Sequence, residues 1–474
     1  MRFLVVASLF ISSVAWASDA CDVRKFLGDE TQASAKIFSL KSNLWTFNVH
    51  NELTANIEQF RANPEERPGM KLTRVPYNDE VELIQLGEVD PRILRKFLSP
   101  DGKTLYWPQS PTNREPLVPG ADSTDIAGHL DVSFMASRSM FSLAEDAPAF
   151  SVKAGTNFPR AGTCSPEKAI TYRGVTRAVL RQPFINAVEK LLPQDDVLGF
   201  LPELFVMRRK RDGEGAIIRD MSRVDNDKYY LSALNVPYFG KIIAKKFGQS
   251  LAEFWIKHYA VPLGVLKARL LLHYGLEMVT PNAQNFLIEL DKNLMPTGRI
   301  FLRDISDTII AEFWYDALGV KILKENNIRL GFEPRKRLDP HGNFGNSFMY
   351  FDEFSVEHDE RYAFSRDDMN ALEHAHLTAW AKEIRRLLRV KDDQLKMEHF
   401  DKEPDYVMSE FLNSRPGAVA LRAYHARLGT LNALPAIDKS SSIQLSLPPK
   451  ELISHPRMYR LKEVDRGARW GNDD

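Results

Sequence analysis

The chain holds 474 residues, 44% hydrophobic and 27% charged, with 63 Lys and Arg balanced by 63 Asp and Glu. That length predicts two or three subdomains rather than one simple core. Zero net charge gives no argument for electrostatic capture of nucleic acid, and beyond the N-terminus no uninterrupted apolar run is long enough to span a bilayer.

Met1-Arg2, the apolar run Phe3 to Phe10 and the small-residue site Ala15-Trp16-Ala17 read together as a signal peptide over residues 1–17, cut after Ala17. Export to the periplasm or beyond the cell is therefore expected. Of the two cysteines, Cys21 and Cys164 form one disulfide in an oxidising compartment or stay as separate thiols. Their spacing carries no metal signature.

From Asp22 to about Tyr77 the pattern is mixed and partly helical, interrupted by the breakers Pro64 to Gly69. Alternation predicts a strand over Val81–Leu86, and Asp90-Pro91 opens a helix over Arg92–Leu98. Pro108 to Pro119 reads as a surface connection, and Gly128 to Met140 turns from polar to apolar. A strand is expected from Phe150 to Thr156, a helix from Gly174 to Leu192, and strands over Leu201–Met207 and Gly215–Arg219. The basic run Arg208-Arg209-Lys210-Arg211 lacks interleaved aromatics and reads as a solvated hairpin tip.

Helical periodicity then covers Phe239–Phe247, Ser250–Tyr259 and Leu263–Tyr274, with Ser250 as N-cap and Glu253 three residues on. After Asp304 the chain stays mostly helical, including a long amphipathic helix over Arg366–Val390. From Leu434 onward Pro, Ser and charge predict an extended tail.

No G-x-S-x-G elbow, H-E-x-x-H, P-loop or G-x-G-x-x-G motif occurs. His374 and His376 are two apart and face different sides of a helix. What remains is a hairpin: Gln284-Asn285, strand Phe286–Leu290, a turn at Asp291-Lys292-Asn293, and strand Arg299–Leu302 ending in Arg303-Asp304. Strands pair ~4.8 Å apart, so amides at one strand's start and a carboxylate with a guanidinium at the next strand's end converge. Amide and carboxylate oxygens suit Mg²⁺ with its waters and phosphates, and an arginine forks onto phosphate or carboxylate. The plain alternative is a solvated hairpin end with a structural salt bridge. Upstream, Thr156, Arg160, Thr163 and Arg219-Asp220 also stand at strand ends. Strand-end arginines among hydroxyls and amides suit a polyanion such as ATP together with a carboxylate substrate.

The run LLHYGLEMVTPNAQNFLIELDKNLMPTGRIFLRD resembles the signature of the NRPS-independent siderophore synthetases, the aerobactin-synthetase-like family. Ile217-Ile218-Arg219-Asp220 resembles that family's L-R-E step, and Thr156-x-x-x-Arg160 with Thr163 and Ser165 its hydroxyl-and-arginine element. Together these cover about Phe150 to Asp307. The resemblance implies an α+β cupped-hand synthetase-like fold: an N-terminal thumb over 18–140, β-rich fingers over 141–225, a mostly helical palm over 226–433 and a tail over 434–474. It implies ligation of a citrate-like polycarboxylate to an amine or hydroxyl through an acyl-adenylate, with ATP and Mg²⁺ as cofactors and a homodimer as the expected assembly. Thr156, Arg160 and Thr163 would hold phosphates. Gln284 and Asn285 would sit by the nucleotide, and Arg219 near the substrate. Arg303 and Asp304 would act at the reacting centre, with Asp304 as the metal ligand.

The sequence departs from the family at two places. Thr280-Pro281-Asn282 stands where the family carries Glu-Ala-His, and for its early G-H-P-x-H-P-x-x-K element only Gly128-His129, with Lys153 or Arg138, stands in. Two further readings therefore stand beside ligation: a non-catalytic exported protein binding a polycarboxylate or metal chelate, and a kinase-like phosphotransferase.

Overall fold

The computed structural model describes residues 69–78, 80–110, 125–136, 139–142, 144–155, 172–209, 215–225, 228–233, 236–278, 283–305, 308–319, 347–348, 351 and 364–434. The N-terminal segment, both cysteines, and the expected Thr156, Arg160 and Thr163 elements lie outside these residues.

Helices and strands mix in an α+β architecture. The strands are β1 (Gly69–Pro76), β2 (Val81–Gln85), β3 (Thr104–Gln109), β4 (Ile126–Ala136), β5 (Ser139–Ser142), β6 (Phe150–Ala154) and β7 (Leu198–Phe200). They continue as β8 (Glu203–Arg209), β9 (Gly215–Asp220), β10 (Tyr229–Ser232), β11 (Leu276–Met278), β12 (Phe286–Leu290), β13 (Pro296–Leu302) and β14 (Thr308–Ile310). Eight of them form one antiparallel sheet in the order β2-β8-β9-β6-β5-β4-β1-β3. A four-stranded sheet runs β10-β12-β13-β7, with β13 and β7 parallel, and β11 pairs with β14.

The main helices are α1 (Pro91–Leu94), α2 (Tyr172–Glu189), α3 (Val236–Lys246), α4 (Leu251–Trp255), α5 (Val261–Tyr274), α6 (Glu312–Leu318) and α7 (Arg366–Leu388). Three more follow: α8 (Met397–Phe400), α9 (Pro404–Leu412) and α10 (Arg415–Arg427). A π-helical turn, Ile256–Ala260, joins α4 to α5 without a break. Ser250 caps α4 as expected, its Oγ accepting from the Glu253 amide at 3.3 Å.

The structure differs from several sequence expectations. The Gly69–Pro76 stretch and Ile126–Ala136 are strands, and Pro108 belongs to β3 rather than to a surface connection. Helix α1 stops at Leu94, because Leu98 bridges Leu105 and the Ser99 amide turns to donate to the Thr104 carbonyl. The basic run is no solvated tip at its start: Arg208 and Arg209 lie in β8 and are buried, and Arg208 pairs with Glu82 directly across on β2.

Helices α5 and α7 form the central helical contact. On α7 the apolar positions Leu377, Trp380, Ile384 and Leu388 fall at three- and four-residue spacing, one buried stripe. Gly264 lets the two helices approach this closely, since a Cβ there would meet the His376 carbonyl oxygen at 2.3 Å and the Trp380 nitrogen at 3.0 Å. Backbone cannot swing aside as a side chain can, so Gly264→Ala should destabilise by about 1–3 kcal/mol, read as a lower urea midpoint with an unchanged slope.

The Leu272 carbonyl ties α5 to its neighbours, accepting from Trp314 Nε1 at 2.7 Å and from His425 Nε2 at 2.9 Å. Burial pulls the His425 imidazole down from 6.5 to about 4. Burial likewise depresses His376 and His273, the latter opposed by the Asp195 carboxylate. A neutral histidine in the folded chain that protonates when unfolded contributes full stability above pH 6.5 and loses it as pH falls toward 4. Denaturation midpoints should drop steeply across that window, by up to about 3 kcal/mol for His425 alone. A flat profile between those pH values would contradict the neutral assignment.

Candidate functional site

The hairpin carries the expected residues at one end. Phe286 pairs with Leu302, Leu287 with Phe301 and Ile288 with Ile300, so the amides before β12 and the charges after β13 are brought level. The Arg303 amide donates to the Asn285 carbonyl at 3.0 Å, and both residues are buried. The main chain of Gln284 lies in the short 3₁₀ turn Ala283–Asn285; its side chain is not among the described ones.

At Asp304 the chain turns through the left-handed region, with φ of 66°, a conformation Asp tolerates better than most residues. The next carbonyl, of Ile305, accepts from Thr308 Oγ1 at 2.8 Å and from the buried Arg181 on α2 at 3.4 Å. These bonds fix the turn, and the turn aims the Asp304 carboxylate at the neighbouring sheet.

That sheet presents a polar row. Directly opposed residues on antiparallel strands share a face. Ser139 faces Lys153, Ser151 faces Arg219, and Arg219 faces Glu203, so one face carries Ser139, Ser151, Lys153, Arg219 and Glu203 across β5, β6, β9 and β8. All five are buried. The opposite face carries Phe150, Val152, Phe205 and Ile218, which belong to the main core.

Asp304 meets this row from the other sheet. Its Oδ1 accepts from Arg219 Nη2 at 3.1 Å, and its Oδ2 pairs with Lys153 Nζ. Arg219 also donates from Nη2 and Nε to Glu203 Oε1, at 3.2 and 3.4 Å. Lys153 and Asp304 keep 11% and 14% of their side chains exposed, against 2% for Arg219 and none for Glu203. The cluster thus opens at Lys153 and Asp304 and closes over Glu203. Burial pushes the Glu203 carboxyl up, the Arg219 guanidinium opposes that, and the Asp304 charge adds to it.

The donor set can be tested against a magnesium nucleotide. Among the described residues no group of three or more His, Cys, Asp or Glu could cage a metal. A resident all-protein cation site does not fit those residues. Mg²⁺ usually takes one or two carboxylates and completes its shell with water and substrate phosphates, and Asp304 fits that smaller demand. Lys153 and Arg219, fixed on neighbouring strands, fit phosphate or carboxylate oxygens.

Of the residues singled out from sequence, the structure brings Arg219 and Asp304 into contact and bonds the Asn285 backbone to Arg303, the residue before Asp304. Lys153 is a cation at the site, and Arg138 lies outside the described residues. Asp220 turns away, its Oδ1 accepting from the Ser222 amide at 2.8 Å. Glu203 was not expected: its signal is a lone acid inside the apolar run Phe200 to Met207.

Among the described residues no helix is long and apolar enough to cross a membrane. Neither a protein-family model nor a curated protein matches the sequence. Solved structures do resemble the chain. The petrobactin biosynthesis protein AsbB from Bacillus anthracis str. Sterne is 13% identical, with a TM-score of 0.42 over 88% of this chain and 73% of that one. Aerobactin synthetase IucC from a hypervirulent pathotype of Klebsiella pneumoniae is 13% identical, with a TM-score of 0.38 over 81% and 67%. ATP-bound aerobactin synthetase IucA from the same pathotype is 11% identical, with a TM-score of 0.39 over 69% and 62%, so the chain spans less than two thirds of that protein's length.

Proposed function

We propose that the partly open cluster of Lys153, Arg219 and Asp304 binds a nucleoside triphosphate with Mg²⁺ and activates a citrate-like polycarboxylate for attack by an amine or hydroxyl. The observation that carries this reading is the meeting of Lys153 and Arg219, from interior strands of the large sheet, on the Asp304 carboxylate, 151 and 85 residues away in sequence and following a strand of the other sheet. Glu203 balances Arg219 from the closed side, with no exposure of its own, so on the partly open side Lys153 and Arg219 meet only the Asp304 carboxylate, and an arriving anion would find both donors there.

In the reaction a substrate carboxylate oxygen attacks the α-phosphorus and pyrophosphate leaves with the bonding pair. The amine or hydroxyl then attacks the acyl carbon, AMP departs, and the nucleophile loses its proton. Bound Mg²⁺ would supply charge neutralisation at the phosphates. Lys153 and Arg219 would offer preorganised N–H donors where charge gathers at phosphorus. Asp304 would hold the metal, and in doing so release Lys153 Nζ toward a phosphate oxygen.

One second reading, phosphoryl transfer, is favoured by the same contact, because a sheet lysine facing an aspartate that follows a strand pair also suits a γ-phosphate. Calorimetry with ATP·Mg followed by product analysis separates them. AMP and pyrophosphate support ligation, ADP supports phosphoryl transfer, and binding without turnover supports a non-catalytic role. If neither ATP·Mg nor AMP binds, the nucleotide reading is lost.

Siderophore assembly in an exported protein belongs to the same proposal. The sequence of the mature N-terminus, measured on protein recovered from its own host, tests the export part.

A further inference from the structure

We propose that Glu203 is a positioning residue, which holds the Arg219 guanidinium from beneath so that it meets Asp304 and a phosphate or carboxylate bound there. This inference rests on the nucleotide-site reading and deepens it.

Three observations carry it. The first is register. Between Glu203 and Phe205 the β8–β9 ladder shifts: Phe205 faces Ile218, and Glu203 faces Arg219, with Leu204 as the extra residue. Regular pairing would set Leu204 opposite Arg219 and Glu203 opposite Asp220. The bulge therefore places the acid against the arginine, the kind of re-aiming that bulges perform beside active sites.

The second is anchoring from outside the sheet. The Glu203 amide donates to Gln182 Oε1 on α2 at 2.9 Å, and Gln182 Nε2 donates in turn to Asn186 Oδ1 at 2.7 Å. Asn186 Nδ2 closes the chain on the Leu86 carbonyl at 3.1 Å. The bulge is thus bolted to a helix rather than left to move.

The third is the cost. Glu203 has no side-chain exposure, and Oε1 accepts twice from Arg219, while Oε2 has no hydrogen-bond partner among the described residues. A fully buried carboxylate with one oxygen unsatisfied is a poor stabiliser, since buried ion pairs replaced whole by apolar residues of similar size often cost a core nothing. Its geometric effect is specific. Bonds to Nε and Nη2 fix the guanidinium plane, and Nη2 then reaches Asp304 at 3.1 Å.

The test compares Glu203→Gln and Glu203→Leu in the full chain, reading ATP·Mg affinity by calorimetry and melting temperature side by side. Gln keeps an acceptor at Oε1 and should bind within about threefold of the parent. Leu should weaken binding by about tenfold or more, equivalent to ~1.4 kcal/mol, while melting no lower than Gln. Parental affinity in a folded Glu203→Leu overturns the inference and leaves the nucleotide reading standing. Absence of ATP·Mg binding in the parent chain overturns both. If Glu203→Leu does not fold, Glu203→Asp takes its place: its shorter side chain draws back from Arg219 and should still weaken binding, and unchanged affinity again overturns the inference.

Discussion

Replacing Asp304 by asparagine should abolish Mg²⁺-dependent nucleotide binding, a loss of at least about a hundredfold in affinity, or ~2.7 kcal/mol. It should also lower stability by about 3 kcal/mol. Both effects follow from one arrangement. Asp304 is the carboxylate on which Lys153 and Arg219 converge, and all three are more than four-fifths buried. An asparagine fits the left-handed turn and still accepts hydrogen bonds, but it leaves the buried Lys153 facing a neutral amide and Arg219 with Glu203 as its remaining carboxylate. A fall in melting temperature in this variant is therefore no argument for a purely structural role, and binding must be measured on the folded fraction. Unchanged affinity for ATP·Mg in folded Asp304→Asn would remove Asp304 from the metal site.

Lys153→Met should weaken ATP·Mg binding by about a hundredfold, since charge-assisted hydrogen bonds contribute about 1.5–3 kcal/mol and methionine keeps the bulk without the donor. Stability should change little, because Arg219 still partners Asp304. The variant should also alter metal binding in the opposite sense. In the parent chain both Asp304 oxygens are engaged, Oδ1 by Arg219 and Oδ2 by Lys153. A divalent cation alone must displace Lys153 and meet a repelling ammonium, whereas a cation arriving with phosphate brings Lys153 a new partner. Metal and polyphosphate should therefore bind with strong mutual enhancement. Mn²⁺ titrated without nucleotide and followed by electron paramagnetic resonance should bind more tightly to Lys153→Met than to the parent. Equal binding would show that Lys153 does not guard Asp304.

Parts of this site were legible in the sequence because they are local. The two strands around Asp291-Lys292-Asn293 pair as the turn between them predicts, and pairing alone sets Asn285 opposite Arg303. Arg219 at the end of an apolar strand was equally visible. What sequence could not supply was which sheet faces which. Lys153 and Asp304 are 151 residues apart and belong to different sheets, so no spacing relates them. Glu203 was hidden by the same logic that finds strands: an apolar run reads as core whether or not a bulge turns its one acid inward. The Arg208–Arg211 run shows the converse error. Charge in a row suggests solvent, yet Arg208 lies across from Glu82 in the sheet and is buried by that partner. Strand edges were the least legible part, because the strands Gly69–Pro76 and Ile126–Ala136 depend on each other for pairing rather than on their own pattern.

The central claim is that Lys153, Arg219 and Asp304 receive a magnesium nucleotide. A crystal structure of the chain grown with Mg²⁺ and a non-hydrolysable ATP analogue tests it most directly. Phosphate oxygens within hydrogen-bonding reach of Lys153 and Arg219, with the metal on Asp304 and Lys153 released from it, is the predicted result. An analogue bound elsewhere, with the Lys153–Asp304 pair intact, would contradict it.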